Sequence, residues 1–233
     1  MGTSLLWYAK PAENAPRFPD VPWAMPVAKN HAAVAGEWYY EFSDDRLDQV
    51  RDAEAIRDHL LRAIYGTFAN AKKQAKYDGY RLDFVGYISG KRESRRLMGD
   101  YLYTMSDMTE GRDFPDTVAE ETREIDVHYQ RILKDPGAVD FLSTALFMKT
   151  PRYRIPFRSL YSKNVENLMM AGRCFSCSHI GLGGPRVMNT TGQMGVAVGY
   201  AASVCKKYGV TPRGVYEKHL EELLHLVRQG APA

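Results

Sequence analysis

Asn167-Leu-Met-Met-Ala-Gly-Arg-Cys-Phe-Ser-Cys-Ser-His179-Ile-Gly-Leu-Gly-Gly-Pro-Arg186-Val-Met-Asn-Thr-Thr-Gly-Gln-Met-Gly195 is the stretch on which the fold turns. Leu168-Met169-Met170-Ala171 is a compact apolar run closed by Gly172, the form of a buried strand in an α/β sheet. A loop with Gly181, Gly183 and Gly184 follows, and the spacing then predicts a helix over Thr190–Tyr208. Seven of the 19 glycines fall between Gly172 and Gly199, which marks backbone that must come close to another group. The first turn of a helix has N–H groups without intrahelical partners and a partial positive charge. A start at Thr190-Thr191-Gly192-Gln193 therefore suits an anionic or electron-rich ligand edge. Glycines that serve packing alone would give the same spacing.

Outward from this stretch, other patterns are clear. Ile56, Leu60, Ile64 and Phe68 recur every four residues, with Arg and Asp off that line, so an amphipathic helix is expected from Asp52 to about Lys76. Ser4–Ala9, Gly36–Phe42, Leu82–Ser89 and Leu97–Thr104 read as strands. Asp113–Asp126 is polar and turn-rich, followed by a short strand at Ile125–His128, and Gly137–Phe147 reads as a short helix. Five of the 12 prolines lie in the first 26 residues, predicting an irregular, extended opening. Thr211-Pro212 is a cap and first-turn proline for a last helix with Tyr216, Leu220, Leu223, Leu224 and Val227 in one apolar stripe. No internal repeat or low-complexity segment is present.

Composition excludes several classes of function. The 233 residues carry Lys+Arg 31 against Asp+Glu 28, a net charge of +3, too small to point to nucleic acid or an acidic membrane surface. No run of 18 apolar residues exists to span a bilayer. The three cysteines (Cys174, Cys177, Cys205) are too few for a disulfide framework and fit a reducing, cytoplasmic setting. The opening Met1–Tyr8 lacks the pattern of a signal peptide.

The central motif resembles the C-terminal flavin-binding segment of the FAD-dependent oxidoreductases, a branch of the two-dinucleotide-binding-domain flavoproteins. The resemblance rests on Asn167-Leu168, Ala171-Gly172-Arg173, Ser176, His179, Arg186-Val187-Met188, Gly192-Gln193 and Gly195. Three further blocks match in order: Gly90–Arg96 with Gly99-Asp100-Tyr101 and Asp107, then Ile125–His128, then Tyr153–Tyr161. The resemblance implies an α/β chain made of an antiparallel, helix-flanked substrate domain over 1–160 and the C-terminal part of a three-layer FAD/NAD(P)-binding fold over 161–207. A C-terminal helix over 208–233 would pack outside. It implies FAD as cofactor, with hydride passing from a small substrate to flavin N5. Gly172, Arg173, Arg186, Val187, Thr191, Gly192 and Gln193 would line the cofactor, and Arg92, Arg96, Tyr153 and Arg154 the substrate. His179 would be the candidate base, since histidine titrates near neutrality; His128 is a weaker candidate.

One departure matters. Such enzymes begin with strand–G-x-G-x-x-G–helix, which cradles the pyrophosphate. That motif is absent, and the nearest string, Gly181-Leu-Gly-Gly-Pro-Arg186, ends in Arg. The chain reads as the second half of a flavoenzyme, with a separate N-terminal FAD-binding subunit as an expected partner. The rival reading is a non-catalytic binding or interaction module. A third uses Cys174 and Cys177 as a dithiol. Zinc would need two more ligands, and three cysteines cannot hold a four-thiolate iron–sulfur cluster, so no metal is expected. Alternation along Lys91–Arg96 would put Arg92, Ser94 and Arg96 on one face of a strand, where they could meet an anionic substrate or pair with carboxylates.

Overall fold

The computed structural model describes residues 1–28, 31–36 and 40–230. The chain divides into two units: Met1–Ser94 with His128–Ala145, and Arg95–Val127 with Leu146–Ala233.

The first unit is organised by α1 (Ala53–Ala71), whose Ile56, Leu60, Ala63, Ile64 and Phe68 are buried along one stripe. This is the helix read from the four-residue recurrence. Its apolar face meets Leu5, Trp7, Tyr40, Phe42, Phe141 and Leu142. Each side chain of Leu or Phe size buried this way contributes roughly 1.5–3 kcal/mol. Phe68 meets the Trp7 ring edge-on at 6.4 Å and Phe18 at 4.9 Å. Gly66 is buried where an added Cβ would run into the Met25 carbonyl oxygen, so glycine lets the proline-rich opening cross the helix closely.

Two small antiparallel sheets complete this unit. β1 (Thr3–Ser4) and β2 (Trp7–Pro11) replace the single strand expected at Ser4–Ala9. β3 (Ala35–Gly36) and β4 (Glu41–Phe42) lie either side of residues 37–39, so the middle of the expected Gly36–Phe42 strand falls outside the described residues. β5 (Tyr80–Val85) and β6 (Gly90–Lys91) follow. The sheet orders are β4-β1-β6 and β3-β2-β5, with Trp7 opposite Gly36 and Val85.

In the second unit, α2 (Met105–Thr109) starts with a capping box in which Asp107 accepts from the Thr104 amide at 2.8 Å. β7 (Thr117–Glu121) is a strand inside a segment read from sequence as polar and turn-rich. β8 (Ile125–Gln130) matches the expected short strand, and β9 (Ser143–Met148) pairs with it. The division between the units falls inside both, after Val127 and after Ala145. β10 (Tyr153–Pro156) runs antiparallel to β7, with Tyr153 opposite Glu121. α3 (Met188–Tyr208) packs on β7 and against α4 (Pro212–Lys218) and α5 (Leu220–Gln229). Thr211 caps α4 as expected, its hydroxyl accepting from the Gly214 amide at 3.1 Å.

Three sequence expectations are corrected. Gly137–Phe147 is not a helix: it enters β9, with Phe141 O accepting from Glu41 N at 3.0 Å and Leu142 bridged to Tyr40. Leu97–Thr104 forms no strand, because its amides bond to separate segments: Leu97 to Cys174 O, Tyr101 to Arg158 O and Tyr103 to Ser176 O. Leu168–Ala171 is likewise no sheet strand. It turns back on residues 160–162 through one bridge, Tyr161 to Met169. The molecule thus mixes helices with small antiparallel sheets.

Candidate functional site

The start of α3 is the natural centre of a site. Val187 is its N-cap, in extended conformation, and no side chain caps it among the described residues. The helix therefore begins two residues earlier than the sequence suggested. Its first bond runs from Thr191 N to Val187 O at 3.0 Å, which leaves the amides of Met188, Asn189 and Thr190 as the ones without intrahelical acceptors. This end faces outward: Met188 is 90% exposed and Asn189 is exposed.

The residues around that helix start are held from β7 and β8. Gln193 docks on the β7 backbone through both amide atoms, accepting from Glu120 N and donating to Glu120 O, each at 3.0 Å. Thr190 donates its hydroxyl to Glu121 Oε2 at 2.6 Å. The other carboxylate oxygen of Glu121 accepts from the amides of Thr122 at 2.7 Å and Arg123 at 3.0 Å. Burial alone would raise the Glu121 pKa, but donors from Thr190, Thr122, Arg123 and Asn189 outweigh it and hold the carboxyl below its ordinary value. Arg186 donates to Asp126 Oδ2 at 2.9 Å and to Asp126 O at 3.1 Å, and Arg123 reaches the same carboxylate at 3.1 Å.

Along α3, Gly192, Gly195 and Gly199 are exposed, and a Cβ added at any of them would meet nothing within 4 Å. The opposite face, Met194, Ala197, Ala201 and Val204, is buried. Three glycines on an open helix face cost stability, roughly 1 kcal/mol each relative to alanine, with no packing among the described residues to require them.

Other expected site residues lie in the same unit. Gly172 has φ +93°, a left-handed backbone that glycine alone adopts without strain. Arg173 and His179 are exposed, with His179 opening a short 3-10 turn at Ile180–Leu182. Thr191 is half-buried and bonds Met188 O through its hydroxyl at 3.2 Å. Tyr153 is fully buried against Gly184, and burial pushes its hydroxyl well above the usual tyrosine range. Arg154 is paired with Asp113 at 2.6 Å and Glu120 at 3.1 Å. Arg96 is half-buried in this unit as well.

Arg92 belongs to the first unit. It is buried, donating to Ser4 Oγ at 2.8 Å and lying 3.3 Å from Glu41 Oε2. His128 Nδ1 is 3.2 Å from that same oxygen, and Gly2 N donates to the other oxygen of Glu41 at 2.6 Å. Burial acts to raise the Glu41 pKa, while His128, Arg92 and Gly2 together bring it below the ordinary value.

Cys174 is half-buried and Cys177 buried, and among the described residues no cysteine is in a disulfide. Among the described residues no group of three or more His, Cys, Asp or Glu side chains is placed to hold a metal ion, and no helix is long and apolar enough to cross a membrane. Sequence reasoning missed Glu120, Glu121 and Asp126, the acidic groups that seat Gln193, Thr190 and Arg186.

No curated protein and no solved structure matches the chain. A family model described as FAD dependent oxidoreductase matches residues 10–224. The match takes in α1, every strand from β3 to β10, and the whole of α3, including the helix start and its open glycine face. The chain belongs to the FAD dependent oxidoreductase family.

Proposed function

We propose that this chain supplies the isoalloxazine side of an FAD site in an oxidoreductase. The observation that carries the reading is the start of α3: amides without intrahelical acceptors, followed by a glycine face open to an incoming group. The residues present fit that part of the cofactor. The positive end of a helix suits the electron-rich pyrimidine edge, and Gly192 leaves room for a flat ring to approach the backbone. Residues 1–233 contain no G-x-G-x-x-G for the pyrophosphate. A separate N-terminal FAD-binding subunit is the proposed source of those contacts, and it would complete the three-layer cofactor fold.

Bound FAD would supply the hydride acceptor, with a small, hydroxylated molecule as the proposed substrate. The residues of the chain have narrower tasks. Glu120 and Gln193 lock α3 to β7, so that the helix start is held rigidly before any ligand arrives. Asp126 fixes Arg186 just ahead of that start. His179, exposed on its turn, is the proposed base for a substrate proton. Three cysteines, too few for a disulfide framework, fit the proposed cytoplasmic setting.

The test is direct. The purified chain, alone and co-expressed with the segment encoded upstream, should carry the near-ultraviolet and visible bands of an oxidised flavin. Bleaching of those bands by candidate alcohols, lost in His179→Ala with flavin content unchanged, would support the base assignment. A chain that stays colourless under both conditions and takes up no added flavin would end the proposal.

A further inference from the structure

The start of α3 already has a negative charge beside it. Glu121 closes β7, and its carboxylate is bonded to the hydroxyl of Thr190, the third residue of the helix. Its donors among the described residues are neutral: the Thr190 hydroxyl, the Asn189 side chain and the amides of Thr122 and Arg123. The nearby arginines are engaged elsewhere, Arg123 and Arg186 with Asp126, and Arg152 and Arg154 with Glu120. A helix terminus offers about half a positive charge, whereas an ionised carboxylate brings a whole negative one. These donors keep Glu121 ionised, so at neutral pH the open amides of the helix start keep their partial positive charge with a full negative one held beside them.

We infer that Glu121 is a tuning residue for the cofactor, a resident charge that makes reduced flavin at the α3 start a stronger electron donor. The inference rests on the isoalloxazine lying at this helix end, as proposed above. The pyrimidine side gains negative charge on reduction, and a fixed like charge beside the helix start disfavours that state. Thr190 and the β7 end are then not only a helix anchor. They hold the carboxylate in place while its charge acts on the ring.

The test uses the full chain and riboflavin, which carries the ring without phosphate or adenine. Affinity for oxidised and for dithionite-reduced riboflavin is measured anaerobically by equilibrium dialysis at pH 8 for the native chain, Glu121→Gln and Thr190→Val. Glu121→Gln should raise the ratio of reduced to oxidised affinity about tenfold, which is about 30 mV for a two-electron couple. Thr190→Val loses a bond to the carboxylate but keeps the charge, and should stay within about threefold of the native ratio.

An unchanged ratio in Glu121→Gln overturns the inference and leaves the flavin site standing. An equal shift in Thr190→Val also overturns it, because a loosened helix start would then explain the effect. Failure of the native chain to bind either form, both alone and with the segment encoded upstream, removes the underlying reading together with this one. Should Glu121→Gln not fold, Glu121→Ser removes the same charge and is judged by the same ratio.

Discussion

Gly66 in α1 and Gly195 in α3 are the same residue in the middle of two long helices, and they do opposite things. Around Gly66 the chain is closed: a Cβ would strike the Met25 carbonyl oxygen and come within 2.9 Å of Val27. Around Gly192, Gly195 and Gly199 there is nothing within 4 Å to strike. The first unit thus spends its glycine on internal packing, where α1 closes over Trp7, Tyr40 and Phe141. In the second unit polar clamps stand beside the buried apolar side chains, among them Gln193 on Glu120 and Arg158 on buried Asp116, whose carboxylate accepts from two guanidinium nitrogens at 3.0 Å. Buried Gly181 and Gly184 still serve packing there, but the glycines of α3 are left facing outward. A helix that tolerates three exposed glycines is carrying a cost that folding alone does not explain.

The contrast can be broken or sharpened by substitution. The sequence carries its three tryptophans (Trp7, Trp23 and Trp38) before Ser94 and none after it, so intrinsic emission reports unfolding of the first unit. Phe68→Ala should have the largest effect, a loss of about 3–5 kcal/mol in denaturant titrations. A loss under 1 kcal/mol would mean that α1 is not the centre of that core.

Glu41→Gln should destabilise the same unit by about 3 kcal/mol near neutral pH, because Arg92 and His128 would keep their burial without the opposing charge. The pH dependence has a defined sign. The folded-state pKa of Glu41 lies below its ordinary 4.5, so its contribution is complete above that value and is lost as pH falls through the lower folded one. Native chain should therefore weaken on acidification below about 4.5, and Glu41→Gln should lack that part of the decline. Parallel acid profiles would show that the carboxylate is not stabilised by its partners.

Gly66→Ala should cost about 1–3 kcal/mol, since the new methyl meets backbone that cannot step aside. Gly195→Ala is the smallest change and has the opposite sign. It should stabilise α3 by about 1 kcal/mol, seen as slower amide exchange across the helix. It should also weaken flavin uptake. Stabilisation with flavin uptake intact would mean that nothing approaches this face closely.

Some of this architecture was legible early for a physical reason. The α1 stripe and the Thr211-Pro212 cap depend on residues within a turn or two of one another, and such patterns survive any tertiary arrangement. Glu121 was invisible for the complementary reason: its partner Thr190 lies 69 positions away.

The amino-acid sequence by itself determined the family blocks, the amphipathic α1, the Thr211-Pro212 cap and the glycine-dense entry to α3, while the single last helix expected after that cap is two, α4 and α5, parted at His219. Only the tertiary structure decided the rest. Gly137–Phe147 has the composition of a helix, yet bonds to Glu41 and pairing with β8 draw it into β9. Leu97–Thr104 reads as a strand, yet its amides are divided between two distant segments, Arg158 and residues 174–176. Local spacing sets what a segment prefers when its partners lie nearby. Where the partners are far along the chain, backbone hydrogen bonds and burial outweigh preferences worth less than about 1 kcal/mol per residue.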